Sequence, residues 1–84
     1  MKKVIVTGVT GQVGSYMADF LLKFTSMKVY GAIRRLSVPN HKNIEHIKDP
    51  NFELIEMDLG DEHSIFSIIQ EIKPDYFINF AANS

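Results

Sequence analysis

The 84-residue sequence contains no cysteine and no tryptophan, and its formal net charge is only −1. The lack of cysteine excludes disulfides and thiolate metal sites, and the balanced charge gives no electrostatic reason to expect nucleic acid as a partner. No hydrophobic run approaches the roughly 18 residues of a membrane helix. The apolar run after Met1-Lys2-Lys3 is too short for a secretory signal, because Thr7 and Gly8 interrupt it. We therefore expect a cytoplasmic protein that does not bind membranes.

The remaining composition is that of an ordinary globular protein, with 45% hydrophobic and 23% charged residues. This balance argues against disorder. A compact domain often uses roughly 100 to 150 residues, so the 84 residues can form one small core but are few for a complete domain. We therefore expect the chain to be part of a larger protein.

Four short apolar runs predict β-strands. They occupy residues 2–7, 28–33, 52–57 and 76–80. Nearly continuous apolar composition is typical of strands that are buried on both faces of a parallel sheet. After a polar loop, residues 44–47 are expected to form one irregular helical turn.

Two helices are predicted between these strands. Apolar residues at offsets of four, seven, eight and eleven predict the first over residues 12–23. Asp61 is expected to cap the second helix, and Pro74 to end it. Both apolar stripes are expected to face the core. The first comprises Val13, Met17, Phe20, Leu21 and Phe24, and the second comprises Ile65, Ile68, Ile69 and Ile72.

The alternation of strands and helices predicts an α/β fold. We expect an incomplete Rossmann fold, which is a doubly wound parallel sheet, with strand order 3-2-1-4 and helices on both faces. The fourth strand would then form an edge, although its composition is that of a central strand. Because an exposed apolar edge invites association with other chains, we expect further chain to cover it.

Residues 7–14 match the pattern TGxxGxxG between the first strand and the first helix. In that setting Gly8 permits a tight turn, Gly11 lets the backbone approach a diphosphate, and Gly14 lets the helix pack close to the strand. The amides at the start of the helix would bind the diphosphate. The alternative is a simple strand-to-helix turn in an unrelated α/β domain.

The end of the second strand distinguishes NADP from NAD. An NAD-binding domain usually has Asp or Glu there, to accept hydrogen bonds from the ribose hydroxyls. This chain has Arg34 and Arg35 instead, and two guanidinium groups suit a 2′-phosphate by charge and by paired donors. The pattern favours NADP, the alternative being a solvated basic turn.

Asp58 and Leu59 follow the third strand. A carboxylate there can accept a hydrogen bond from the adenine amino group, and the next backbone amide can reach a ring nitrogen. On its own, Asp58 could equally be a loop or capping residue.

Five segments together resemble a known family, the extended short-chain dehydrogenase/reductases that modify nucleotide sugars. Within it they are similar to the branch of 4,6-dehydratases that act on GDP-mannose. The segments are TGVTGQVGSY at 7–16, IRR at 33–35, IEHI at 44–47, MDLGD at 57–61 and KPDYFINFAANS at 73–84.

The resemblance implies a set of cofactor-binding residues. It places the turn at the phosphates, the arginines at the 2′-phosphate, the Asp-Leu pair at adenine, and the last segment along the path to the nicotinamide ribose. The set comprises Gly8, Thr10, Gly11, Gln12, Val13, Gly14, Arg34, Arg35, Asp58, Leu59, Phe80, Ala81, Ala82 and Ser84. The family often has an acid where Val13 stands, so any contact of that acidic side chain is absent.

The resemblance also implies a reaction. Members of the family use NADP to oxidise the sugar at C4, eliminate water across C5 and C6, and return the hydride to C6. The family's Tyr-x-x-x-Lys pair has no match in this sequence, because Tyr16, Tyr30 and Tyr76 lack a lysine four residues later. We therefore expect residues 1–84 to be the N-terminal part of an NADP-binding Rossmann domain, without catalytic residues, substrate domain or activity of its own.

The leading hypothesis is the NADP-binding portion of a GDP-mannose 4,6-dehydratase-like lyase. The alternatives are another nucleotide-sugar epimerase or reductase of the same family, and a nucleotide-binding or assembly module without chemistry. In the resembling family the loop at residues 36–43 reaches a neighbouring subunit, so a homo-oligomer is expected. The spacing of His41, His46 and His63 gives no metal-binding pattern, and surface positions are expected for all three.

Overall fold

The computed structural model describes residues 1–34, 44 and 46–80. In chain order the elements are β1 (Lys3–Thr7), α1 (Gln12–Phe24), β2 (Lys28–Ile33), β3 (Phe52–Glu56), α2 (Glu62–Ile72) and β4 (Tyr76–Asn79). These bounds agree with the predicted ones to within one residue at each end. The predicted single turn is also present, since the Ile47 amide donates to the Ile44 carbonyl at 3.0 Å. Within the described ranges, no helix is long and apolar enough to cross a membrane.

The four strands form one parallel sheet in the order β3-β2-β1-β4. Val6 lies at the centre, with Gly31 of β2 opposite it on one side and Ile78 of β4 on the other. Both crossover helices therefore connect strands whose carboxyl ends meet at one edge of the sheet. The predicted fold class, an α/β Rossmann sheet with order 3-2-1-4, is confirmed.

The sheet separates two hydrophobic cores because successive side chains along a strand point to opposite faces. Val4 and Val6 of β1 join the core beneath α1, whereas Ile5 joins the core beneath α2. All three are fully buried. Ala18 and Leu21 contribute the α1 side of the first core, so the fold carries a helix on each face.

The predicted core stripe of α1 is wrong for three residues. Val13, Phe20 and Phe24 are 62%, 54% and 66% exposed. The helix instead turns a face of smaller side chains to the sheet, and the buried residues are Gly14, Ser15, Ala18 and Leu21. At the start of the helix this face packs so closely on the chain at Gly8 that position 14 admits only glycine. The displaced rings of Phe20 and Phe24 pack against each other, with centroids 5.0 Å apart.

Helix α2 follows its predicted stripe more closely. Ile72 is buried, and Ile65 and Ile68 pack against the second core. Ile69 departs from the prediction, because it is 39% exposed. The predicted cap is confirmed, since the Asp61 side chain accepts a hydrogen bond from the His63 amide at 3.0 Å.

The last residues of α2 and the edge strand complete the fold. The helix ends at Ile72, and Lys73 adopts a left-handed conformation with φ 54° just before Pro74. On β4, Tyr76 and Phe77 are 48% and 39% exposed. The predicted edge position of the fourth strand is therefore confirmed.

Candidate functional site

The turn between β1 and α1 is shaped by three glycines. Gly8 has φ 66°, a conformation that glycine adopts without strain. The Gly11 amide donates to the Gly8 carbonyl at 3.0 Å and closes the turn. At Gly14, a Cβ would lie 2.1 Å from the Gly8 carbonyl oxygen, so only glycine fits there. The roles predicted for Gly8 and Gly14 thus have a direct geometric basis.

The first amides of α1 remain available for a ligand. Gly11 is the N-cap and supplies no side-chain hydrogen bond, and the first turn contains no acidic residue. The first helical amide with a backbone partner is that of Ser15, which donates to Gly11. Among the described residues, no acceptor binds the three preceding amides, which belong to Gln12, Val13 and Gly14. Unsatisfied amides at the positive end of a helix attract anions.

A cavity of about 420 Å³ lies at the carboxyl ends of β1, β2 and β3. It is the kind of crevice in which open parallel sheets bind ligands. Each of the three strand ends supplies part of the lining. The lining residues are Thr7, Gly8, Thr10, Ala32, Ile33, Arg34, Met57, Asp58, Leu59 and Gly60. Five predicted site residues, from three different segments, are therefore brought together.

Arg34 and Asp58 place opposite charges in this cavity. Arg34 is exposed at the end of β2. One carboxylate oxygen of Asp58, Oδ1, accepts the Gly60 amide at 2.9 Å. The other oxygen, Oδ2, accepts no hydrogen bond from the residues the structure describes. The cavity thus offers a cationic donor and a carboxylate oxygen that accepts no hydrogen bond from the described part of the chain.

The remaining predicted residues lie elsewhere. Four predicted residues at the start of α1 do not line the cavity, namely Gly11, Gln12, Val13 and Gly14. Gly14 is buried, whereas the other three are exposed. The Phe80 amide donates to the Thr7 hydroxyl at 3.1 Å, and the Phe80 side chain packs against the core beneath α1. The other predicted residues, Arg35, Ala81, Ala82 and Ser84, lie outside the described part of the chain, as does the proposed subunit-contact loop at 36–43.

Comparison with known proteins gives the family. A family model described as GDP-mannose 4,6 dehydratase matches residues 5–84. The chain belongs to the GDP-mannose 4,6-dehydratase family. This match confirms the resemblance predicted from the five segments.

Relatives from distant organisms support the assignment to the GDP-mannose 4,6-dehydratase family. A GDP-mannose 4,6-dehydratase of Yersinia enterocolitica is 41% identical over 100% of this chain. One from Vibrio cholerae is 44% identical over 99% of it, and one from Drosophila melanogaster is 41% identical over 99%. The chain covers only 24%, 24% and 22% of these relatives.

Solved structures of two nucleotide-sugar epimerases share the fold of this chain. A UDP-Glc/GlcNAc 4-epimerase from Campylobacter jejuni superposes with a TM-score of 0.83 and 26% identity, over 99% of this chain and 25% of its own. A UDP-glucuronic acid 4-epimerase from Bacillus cereus, solved in complex with NAD, gives a TM-score of 0.74 at 26% identity, over 95% of this chain and 26% of its own. The backbone of this region is therefore shared across enzymes with different sugars.

Sequence reasoning missed half of the cavity lining. The missed residues share a position at the carboxyl end of a strand or in the turn that follows it. They are Thr7, Ala32, Ile33, Met57 and Gly60. The rule that ligands bind at the carboxyl ends of parallel strands could have indicated them, because all four strands were predicted correctly.

Two histidines have defined surroundings. The Nε2 atom of His46 lies 2.7 Å from a carboxylate oxygen of Asp19 on α1, and His63 is exposed in the first turn of α2. His41 lies outside the described residues. Over residues 1–34, 44 and 46–80, no group of three potential ligands could hold a metal ion.

Proposed function

We propose that this chain is the NADP-binding portion of a nucleotide-sugar 4,6-dehydratase whose substrate is GDP-mannose. The observation that carries the proposal is the convergence of Arg34, Asp58 and the glycine turn on one cavity at the carboxyl edge of the sheet. The relatives named GDP-mannose 4,6-dehydratase support the substrate and the reaction. Since the chain covers about a quarter of these relatives, the reaction is proposed for a protein of their full length.

The residues of the glycine turn fit a dinucleotide diphosphate. Three amides at the start of α1 have no acceptor among the described residues. The turn itself needs glycine at Gly8, where φ is 66°, and at Gly14, where a Cβ would lie 2.1 Å from the Gly8 carbonyl oxygen. Backbone donors and the helix dipole stabilise a diphosphate without a lysine. The dinucleotide bound to the Bacillus cereus epimerase supports this use of the fold.

The residues of β2 and β3 fit the adenosine end of NADP. No acid follows β2 in the sequence Ala32-Ile33-Arg34, so a ribose 2′-hydroxyl would have no carboxylate partner there. A 2′-phosphate would instead receive charge-assisted hydrogen bonds from Arg34. The unpartnered Oδ2 of Asp58 would accept the adenine amino group. The same cavity would thus favour NADP over NAD and bind a base that carries an amino group, as adenine does.

The part of this chain in the reaction is to bind and orient. When bound, NADP would accept the hydride from C4 of the sugar and return it later in the cycle. Phosphate contacts from the glycine turn and base contacts from Asp58 would fix the adenosine half. The nicotinamide would then be placed toward β4, where the Phe80 amide is held by Thr7.

A sibling function in the same family of folds is the second candidate. The Campylobacter jejuni epimerase has a TM-score of 0.83 to this chain, which favours a nucleotide-sugar 4-epimerase on backbone shape. Its identity is only 26%, against 41% to 44% for the dehydratases. We therefore prefer the dehydratase, and assay of the full-length protein with GDP-mannose and UDP-glucose would distinguish the two.

Cofactor titration tests the binding proposal directly. We expect the chain to bind NADP more tightly than NAD, and Arg34→Ala to weaken NADP by about tenfold to hundredfold through loss of charge-assisted hydrogen bonds. Affinity for NAD should change little in that variant. Calorimetry or quenching of protein fluorescence would measure both ligands.

The matched control is Lys48→Ala, which removes an exposed cation that does not line the cavity. It should leave both affinities unchanged. Equal loss of NADP affinity in both variants would show that Arg34 acts through the overall charge of the chain and not through contact with the 2′-phosphate. No NADP binding by folded chain would reject the proposed function.

A further inference from the structure

Gly31 lies at the centre of β2, outside the TGxxGxxG pattern. It is opposite Val6 on one side and Leu54 on the other. The residue is buried, and its φ is not in the left-handed region. Conformational freedom therefore does not explain a glycine here, and glycine in a strand interior often marks a close approach by another part of the chain.

The close approach comes from two side chains. A Cβ at position 31 would lie 2.9 Å from Cζ and 3.0 Å from Cε1 of Phe52, and 3.1 Å from Cγ1 of Val9. Non-bonded carbon atoms of different residues normally stay farther apart than this. A methyl group at Gly31 would therefore push against both neighbours.

Val9 connects this crowded position to the cofactor turn. It is the residue between Gly8 and Thr10, and its side chain is fully buried in the core beneath α1. Its Cα would be 3.0 Å from a Cβ at Gly14. The turn is thus fixed from two directions, by the Val9 side chain seated over Gly31 and by α1 packed at Gly14.

The two neighbours of Gly31 differ in their freedom to move. Phe52 begins β3 and is only partly buried, at the margin of the core beneath α1, so we expect its ring to give way first. Val9 is fully buried in a turn that is closed by the hydrogen bond from Gly11 to Gly8. Displacement of Val9 would therefore shift the backbone of the turn, because tightly packed interiors transmit strain.

We propose that Gly31 is a positioning residue for the diphosphate turn. Because Gly31 has no side chain, the Val9 side chain packs directly on the backbone of β2, and this contact determines the distance between the turn and the sheet. The inference rests on the proposed NADP-binding function. It adds a glycine on a different strand to the residues that determine diphosphate affinity. It also predicts that this residue affects the diphosphate and not the 2′-phosphate, which contacts Arg34.

The test compares Gly31→Ala with the unmodified chain, using two probes. NADP contains the diphosphate, whereas adenosine 2′-monophosphate contains only the adenine, the ribose and the 2′-phosphate. We expect Gly31→Ala to weaken NADP by about tenfold, as overpacking displaces the turn, and to leave adenosine 2′-monophosphate within about a factor of two. A residue with a merely structural role would weaken both probes together.

A stability-matched control separates positioning from general loosening. Ile72→Ala removes a buried side chain on α2, in the core on the opposite face of the sheet from Val9. It should lower the unfolding midpoint as much as Gly31→Ala or more, with both probes still bound normally. Equal loss of NADP affinity in the two variants at the same temperature would overturn the proposal.

A second variant keeps the test decisive if Gly31→Ala does not fold. Val9→Ala removes the seated side chain, and we expect it to weaken NADP by several-fold without affecting adenosine 2′-monophosphate. If both single variants fold, the double variant Val9→Ala/Gly31→Ala should bind NADP about as well as Val9→Ala alone. The methyl group at position 31 then no longer meets the Val9 Cγ1 atom.

The outcomes distinguish the inference from the function on which it rests. If the unmodified chain binds NADP and neither single variant affects it selectively, the role of Gly31 is refuted and the proposed function stands. If the unmodified chain binds neither probe, both fail together.

Discussion

The two strand-to-helix turns at the carboxyl edge of the sheet treat the first amides of their helices in opposite ways. In the turn before α1, the N-cap Gly11 makes no side-chain hydrogen bond and no acid follows. In the turn before α2, the Asp61 side chain accepts the His63 amide, and Glu62 adds a second carboxylate. A carboxylate at a helix start satisfies the amides and the dipole that an external anion would otherwise use. The difference supports anion binding at the first turn and helix stabilisation at the second.

Both turns nevertheless face the same cavity. The turn before α1 contributes Gly8 and Thr10 to the lining, and the turn before α2 contributes Asp58 and Gly60. Near the first turn lie the open amides of α1, whereas the second turn presents the free Oδ2 of Asp58. A nucleotide needs both, since its phosphates are acceptors and its adenine amino group is a donor. We therefore expect the two turns to bind complementary parts of one ligand.

We call the turn before α1 the open turn and the turn before α2 the closed turn. Of the substitutions considered for the two turns, Gly14→Ala in the open turn should have the largest effect on stability and on NADP binding. Its Cβ would lie 2.1 Å from the Gly8 carbonyl oxygen, so either α1 must move off the strand or the turn must rearrange. We expect a loss of about 3 kcal/mol in the free energy of unfolding, at the upper end for overpacking, together with loss of NADP binding. Urea denaturation and calorimetry would measure the two. A folded variant with normal affinity would show that the close packing at Gly14 is dispensable.

Gly11→Asp should convert the open turn into a copy of the closed one. The backbone at Gly11, with φ −78° and ψ 168°, accepts a non-glycine residue, although its Cβ would lie 3.3 Å from the Gly8 carbonyl oxygen. The new carboxylate would cap the amides of α1 and offset this close contact, so the free energy of unfolding should stay within a few tenths of a kcal/mol. NADP affinity should nevertheless fall by about tenfold or more, because the carboxylate occupies the donors and repels the diphosphate.

Gly11→Asn is the control for this conversion. It supplies a cap without a charge, so its loss of NADP affinity should be smaller than that of the aspartate. The measurement is a titration of both variants and the unmodified chain at two salt concentrations. Only the charged variant should show a smaller loss, relative to the unmodified chain, at high salt. An aspartate variant that binds NADP normally would contradict the assignment of the anion site to this turn.

Asp61→Ala should open the closed turn. Removal of the cap leaves the His63 amide without its acceptor, and we expect α2 to lose about 1 kcal/mol of stability. NADP affinity should stay within a factor of two, because Asp61 does not line the cavity. Thermal unfolding followed by circular dichroism, paired with cofactor titration, would check both expectations. A large loss of affinity would mean that the second turn holds the ligand through its cap.

The sequence predicted the elements of this comparison better than their surroundings. The TGxxGxxG spacing and the Asp61 cap are local signals, and both were correct. The burial of α1 was not predictable from its apolar stripe, because Phe20 and Phe24 are exposed while the smaller Gly14, Ser15 and Ala18 are buried. Gly31 gave no local signal either, since the side chains that a Cβ there would meet, those of Phe52 and Val9, are each more than twenty positions away in the chain.

The two helices also differ at their carboxyl ends, where we expect a substitution to have the smallest effect on stability. At the end of α1, Thr25 is extended and its hydroxyl donates to the Leu21 carbonyl. At the end of α2, Lys73 adopts a left-handed conformation, and its amide donates to the Ile69 carbonyl at 2.8 Å. That conformation suits glycine, and a side chain with a Cβ is strained in it.

Lys73→Gly should therefore stabilise the chain by about 0.5 to 1 kcal/mol, the relief of strain being partly offset by the greater freedom of glycine in the unfolded state. Lys73→Ala is the matched variant, because it removes the same side chain but keeps the Cβ, and it should leave the stability almost unchanged. Urea denaturation of the three proteins resolves the difference. If the alanine variant were stabilised as much as the glycine variant, the gain would come from loss of the lysine charge, and the left-handed backbone at the end of α2 would carry no strain of its own.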